Sequence, residues 1–185
     1  MAYSMAYQPI SIQLVRRGFC RCNYFHYLQA KYAKICLMPQ LKLSIQRASD
    51  CLPLPTSAQL RNWSKATLRV DTEVTIRIVD ELEARTLNCQ YRGKDYATNI
   101  LTFALTEEPV LMGDIVICAP VVVAEAKAQN KDVMAHFAHL TVHGVLHLHG
   151  YEHETEPQAQ LMESIEIQIL AKLGYANPYL VIEGA

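Results

Sequence analysis

Apolar and polar residues alternate over positions 40–47, with Leu41, Leu43 and Ile45 on one side, so this stretch reads as a half-buried strand. Pro53 and Pro55 break the chain, and Thr56 or Ser57 then caps a helix to about Lys65 that carries Leu60 and Trp63. Alternation returns at Val74, Ile76 and Ile78, with β-branched company, giving a second strand. Asp80 is placed to cap a helix with Leu82, Leu87 and Tyr91 on roughly one face, and Arg92-Gly93-Lys94-Asp95 reads as a turn. Positions 100–105 and 115–118 are the third and fourth strands, with Gly113-Asp114 expected as the turn between them. Pro120 suits the first turn of a helix running to about Gln129.

The next helix starts near Asp132, a good N-cap, and runs to about His149. Its Phe137, Leu140, Val142, Val145, Leu146 and Leu148 point in nearly all directions, and a helix that is apolar all round is buried. Pro157 opens a last helix, in which Leu161, Ile165, Ile169 and Leu173 are spaced for packing, and Gly174 ends it. Strands and helices together predict an α+β domain with a small sheet.

Length and composition add limits. A chain of 185 residues suits one domain with a core, plus an appendage. No run reaches the roughly 18 uninterrupted apolar residues of a membrane span, so no membrane partner is expected. The six cysteines lack paired spacing and fit reduced thiols in a cytoplasmic protein, with Cys118 a small core residue. Residues 1–37 contain Arg16, Arg17, Arg21, Lys31 and Lys34 but no acid. They read as a poorly ordered N-terminal extension, an over-extended start ahead of Met38, with an organelle-targeting presequence as the alternative.

The chemistry concentrates in His143-Gly144-Val145-Leu146-His147-Leu148-His149-Gly150-Tyr151-Glu152-His153. Histidines four apart on a helix share a face, with Cβ atoms roughly 5–6 Å apart, so His143 and His147 can reach one ion. Gly150 can adopt the left-handed conformation that turns the chain back and brings His153 to the same ion. Three neutral nitrogens leave a tetrahedral zinc one open position, where the pKa of water falls to about 7. The spacing is that of metzincin proteases, but their glutamate base is replaced by Gly144. His136 and His139 extend the stripe and read as histidines that orient neighbours by hydrogen bonds, rather than as a second metal site. His149 belongs to another face, and Glu152 reads as a solvated acid, with proton shuttling the minor alternative.

This run, with Tyr91-Arg92-Gly93-Lys94-Asp95-Tyr96-Ala97-Thr98-Asn99-Ile100-Leu101-Thr102-Phe103 and Gly113-Asp114-Ile115-Val116-Ile117-Cys118, closely resembles the YbeY family over residues 38–179. Members are zinc-dependent, single-strand-specific endoribonucleases that mature ribosomal RNA and serve ribosome quality control. The resemblance implies one Zn2+ per chain on His143, His147 and His153, and a functional arginine at Arg92. It implies a mixed four-stranded sheet packed with helices around the buried ligand helix. It also implies action on the 16S rRNA 3′ end, single-stranded RNA and the ribosome as partners, and no DNA. Departures from the family pattern are Glu152, His149 and Thr102, and a short segment over 104–112.

Arginine suits phosphodiester chemistry because its fork holds two phosphate oxygens and keeps its proton. The net charge of −1 combines a basic first segment with an acidic remainder, which is awkward for an RNA enzyme. The expectation is local: Arg77, Arg92 and Lys94 gather near the metal, acids occupy the far surface, and free RNA binds weakly. Two rivals stand beside the nuclease. One is a metal-dependent hydrolase of peptides or other esters, favoured by the histidine spacing alone. The other is a ribosome-associated binding protein with structural zinc, which would ordinarily need a fourth ligand.

Overall fold

The computed structural model describes residues 38–106 and 110–180. The N-terminal extension expected at 1–37 lies outside the described residues, as do positions 107–109 of the short 104–112 segment.

Strand β1 (Leu41–Ala48) alternates half-buried and exposed side chains, as its pattern predicts. Helix α1 (Ser57–Thr67) opens with a reciprocal cap between Thr56 and Gln59 and buries Leu60 and Trp63. Strand β2 (Thr72–Val79) then runs parallel to β1, with Leu41 opposite Thr72. The α1 crossover makes that pairing possible, because parallel neighbours cannot be joined by a tight hairpin. After α2 (Glu81–Arg92), β3 (Ile100–Thr106) and β4 (Leu111–Cys118) pair antiparallel, and β4 also pairs parallel with β2. The sheet order is β1-β2-β4-β3, a mixed four-stranded sheet with β3 on an edge.

Both faces of the sheet are covered. Val74, Ile76, Ile78, Ile115 and Ile117 face a large core completed by α1, α3 (Ala119–Ala128), α4 (Val133–Leu148) and α5 (Glu156–Lys172). Residues of opposite parity, Val79, Val116 and Cys118, pack with Ala84 and Leu87 of α2 in a smaller cluster.

Helix α4 packs on α1, α3, α5, β3 and β4. From His136 to Leu148 every residue is buried except His139, His143 and His147. One stripe, repeating every four residues, is therefore the only open line along this part of the helix.

Three local expectations are corrected. Gly113 and Asp114 do not form a turn; they lie inside β4, and the connection from β3 falls before Leu111. A Cβ at Gly113 would stand 2.3 Å from Leu148 Cδ2 and 2.7 Å from the Phe103 carbonyl oxygen, so this glycine serves close packing of α4 on the strand. Helix α2 does not bury Leu82 or Tyr91, which are 79% and 60% exposed. Its buried positions are Ala84 and Asn88, with Leu87 packed beside Ala84, and the Asn88 amide donates to the Tyr96 carbonyl at 2.8 Å. Along α5, Leu161 is exposed, and the inward line runs through Met162, Glu166, Ile169 and Leu170.

Candidate metal centre and its cleft

Helix periodicity places His143 directly over His147, with their Nε2 atoms 3.0 Å apart. The helix then stops at Leu148. Gly150 takes φ 78°, the Gly150 N–H donates to the His147 carbonyl at 3.0 Å, and the Tyr151 N–H donates to that of Leu146 at 3.1 Å. The reversed chain brings the His153 ring to 5.4 Å from His143 and 5.1 Å from His147, centroid to centroid. One ring nitrogen from each histidine lies within 4.8 Å of the others.

This donor set fits a zinc ion. Imidazole nitrogens bound at about 2.0–2.1 Å in tetrahedral directions lie about 3.3 Å apart, close to the His143–His147 separation. Among the described residues no fourth histidine, cysteine, aspartate or glutamate completes the group.

Behind the cluster sits Glu166, whose side chain is fully buried. His143 Nδ1 donates to its Oε1 at 2.8 Å, which leaves His143 Nε2 as the lone-pair nitrogen facing His147. The Tyr179 hydroxyl donates to Oε2, and His139 Nε2 lies 3.4 Å from the same oxygen. Burial pushes the Glu166 carboxyl up, but the hydrogen bonds from His139, His143 and Tyr179 prevail and bring its pKa down to about 2. Burial and attachment to that carboxylate push the Tyr179 hydroxyl up. His139, His143 and Glu166 also offer ligand atoms within 4.8 Å of one another. Their hydrogen bonding, with Tyr179 on the shared carboxylate, identifies them as the support of the first cluster. Burial lowers the His147 pKa, and its neighbour His143 lowers it further, which favours the neutral ring a metal needs.

His136 lies outside the three-histidine cluster, its Nε2 2.8 Å from Glu125 Oε2. Glu125 also accepts from the Asn99 amide at 3.0 Å, which ties α3 and α4 to the start of β3. His149 is held elsewhere: Nδ1 donates to the Val145 carbonyl at 2.8 Å and Nε2 accepts from the Arg69 N–H at 3.3 Å.

In front of the cluster lies a cavity of about 650 Å³ that runs along the edge strand β3. His143, His147 and His153 line it, and so does Arg92, from the last turn of α2. Gly93 follows with φ 67°, a left-handed cap that ends α2 at the cleft. Among the described residues the Arg92 guanidinium has no hydrogen bond or ion pair, so none of them occupies its fork. The expected basic gathering is smaller than predicted. Arg77 is held by Glu83 at 2.6 and 2.9 Å and by Gln46 at 2.9 Å, and neither it nor Lys94 nor Asp114 lines this cavity. Glu152 and Glu154 do line it, with Glu152 Oε2 3.5 Å from His147 Nδ1.

Position 144 is decided by packing. A Cβ there would meet Ile100 Cδ1 at 2.9 Å and Ile115 at 3.2 Å, so a side chain following His143 would be driven into the sheet rather than the cleft.

Residues 54–174 match the family model described as Endoribonuclease YbeY. The chain belongs to the YbeY family. The endoribonuclease YbeY of Methylobacillus flagellatus is 61% identical to it over 142 residues, which is 77% of this chain and 95% of that relative. The YbeY of Aromatoleum aromaticum is 53% identical over 143 residues, 76% of this chain and 93% of the relative. The solution structure of a Thermotoga maritima protein is similar at 25% identity with a TM-score of 0.50, covering 75% of this chain and 99% of that one. That structure shares the overall fold of this α+β domain. No helix among the described residues is long and apolar enough to cross a membrane.

Glu166 and Tyr179 escaped the sequence reading. Glu166 left a trace, because a carboxylate one turn after Met162 sits on a helix line otherwise filled by apolar side chains. Tyr179 left none.

Proposed function

We propose that this YbeY-family enzyme is a zinc-dependent endoribonuclease specific for single-stranded RNA, with His143, His147 and His153 as metal ligands and Arg92 as the phosphate-holding residue. Its place is ribosomal RNA processing in the cytoplasm, including maturation of the 16S rRNA 3′ end and ribosome quality control. The observation that carries this reading is a free guanidinium in the same cleft as three convergent imidazoles.

A zinc ion held by His143, His147 and His153 would supply Lewis-acid charge and would lower the pKa of bound water to about 7. The protein's own groups do the rest. Glu166 fixes the tautomer and direction of His143. Arg92 grips two oxygens of the scissile phosphate and offsets charge that builds there in the transition state. With Arg92 the one arginine or lysine beside the histidines in this cavity among the described residues, and acids Glu152 and Glu154 also lining it, affinity for free RNA is weak. Capture then depends on a larger assembly, and the ribosome is the proposed partner.

Peptide hydrolysis is the second reading, and packing at Gly144 argues against it, since the protease base has no room there. The test is incubation of the protein with single-stranded RNA, the matching duplex and casein, with and without chelator. Metal-dependent cleavage of the single strand alone is expected. Casein cleavage without RNA cleavage would overturn the reading, and so would metal retention with neither substrate cut.

A further inference from the structure

We infer that Tyr91, braced by Phe103, is a stacking subsite for an unpaired nucleobase flanking the phosphate that Arg92 holds, an inference that rests on the RNA-cutting reading above. An exposed tyrosine alone would carry nothing, because single apolar side chains on a surface are ordinary. Tyr91 differs in its position. It is 60% exposed, yet it lines the same cavity as the three histidines. Phe103 lines that cavity too, and the two rings make an edge contact with centroids 4.9 Å apart and planes at 63°. This contact steadies the Tyr91 ring without covering all of it.

The chain order supplies the ligand chemistry. Tyr91 and Arg92 are consecutive residues in the last turn of α2, so an aromatic ring and a free guanidinium enter the cleft from one backbone site. A nucleotide presents the same pair, a flat base beside a phosphate. Base–aromatic stacking tolerates any base but requires an unpaired one, because duplex pairing keeps the bases stacked on each other. Tyr91 thereby gives selectivity for single strands a physical source without sequence preference.

The experiment measures cleavage of short single-stranded RNAs by the wild type, Tyr91→Ala and Tyr91→Phe, using oligonucleotides in which one base at a time is removed. Tyr91→Ala is expected to raise KM about tenfold or more, the loss that goes with one base–aromatic stack, while metal content stays at wild-type level. Tyr91→Phe keeps the ring and should stay near wild type. One abasic position flanking the cut should weaken the wild type and leave Tyr91→Ala nearly unaffected, because the stack is already lost. An unchanged KM for Tyr91→Ala, or an abasic penalty that persists in full in that variant, would overturn the subsite. A wild type that cuts no RNA would instead overturn the functional reading beneath it.

Discussion

His143 Nδ1 lies 2.8 Å from Oε1 of Glu166, a fully buried carboxylate whose other oxygen takes the Tyr179 hydroxyl. A residue of α5, itself fixed by a residue beyond the helix end, thus holds the imidazole that would face the metal. Carboxylate partners of this kind orient the ring and raise its basicity, and their loss typically costs about 10–100-fold in metal affinity. Glu166→Gln, which keeps the shape and removes the charge, is expected to weaken zinc binding within that range. Tyr179→Phe should weaken it less, since His143 keeps its carboxylate. Competition against a chromophoric chelator measures both, and wild-type affinity in Glu166→Gln would remove the carboxylate from metal binding.

The proposed mechanism assigns metal holding and phosphate holding to different residues, so the two should separate. His147→Ala removes one of three ligand atoms and is expected to lose bound zinc and RNA cleavage together. Arg92→Ala is expected to retain zinc and lose cleavage by about 100-fold or more, the scale of removing one preorganised transition-state contact. Metal content by elemental analysis beside an RNA cleavage assay distinguishes the two. An Arg92→Ala enzyme as active as the wild type would take that side chain out of the mechanism.

The sequence carried the cluster because its code is local. His143, His147, Gly150 and His153 lie within eleven residues, and helix pitch plus one left-handed glycine bring them together without reference to distant chain. The strands of β1 and β2 were legible for a similar reason, as alternation over eight residues reports a half-buried surface directly. What failed was non-local. Gly113 looked like a turn residue because glycine usually marks one, whereas the cause is Leu148, thirty-five positions further on. Leu82 and Tyr91 share roughly one face of α2 with Leu87 by spacing, but the buried positions of that helix are small Ala84 and hydrogen-bonded Asn88. Arg77 was expected at the metal, and only the fold reveals that Glu83 and Gln46 hold it.

Gly113 offers a direct check of that packing. An added methyl group would fall 2.3 Å from Leu148 Cδ2, which can shift, and 2.7 Å from the Phe103 carbonyl oxygen, which is paired backbone. Gly113→Ala is therefore expected to destabilise the fold by about 1–3 kcal/mol, as overpacking of a dense core does. Urea unfolding of the metal-free protein measures it. A variant as stable as the wild type would show that β3 and α4 yield more readily than this packing implies.

Acid should expose the Glu125 network. Burial raises the Glu125 carboxyl, yet hydrogen bonds from His136 and Asn99 outweigh it and hold the pKa below its ordinary 4.5. The unfolded chain therefore takes up this proton at higher pH than the folded protein does. The stabilisation is fully present above the unfolded value, and it is lost as pH falls through the lower folded value. Glu125→Gln lacks the titrating group, so the wild type should melt higher than the variant at about pH 6, with the gap closing from about pH 4.5 downward. Thermal midpoints taken in chelator, in steps across that range, follow the gap without interference from bound metal. A gap that widens on acidification through this range would mean that the folded protein raises the carboxyl, and that His136 and Asn99 fail to offset its burial.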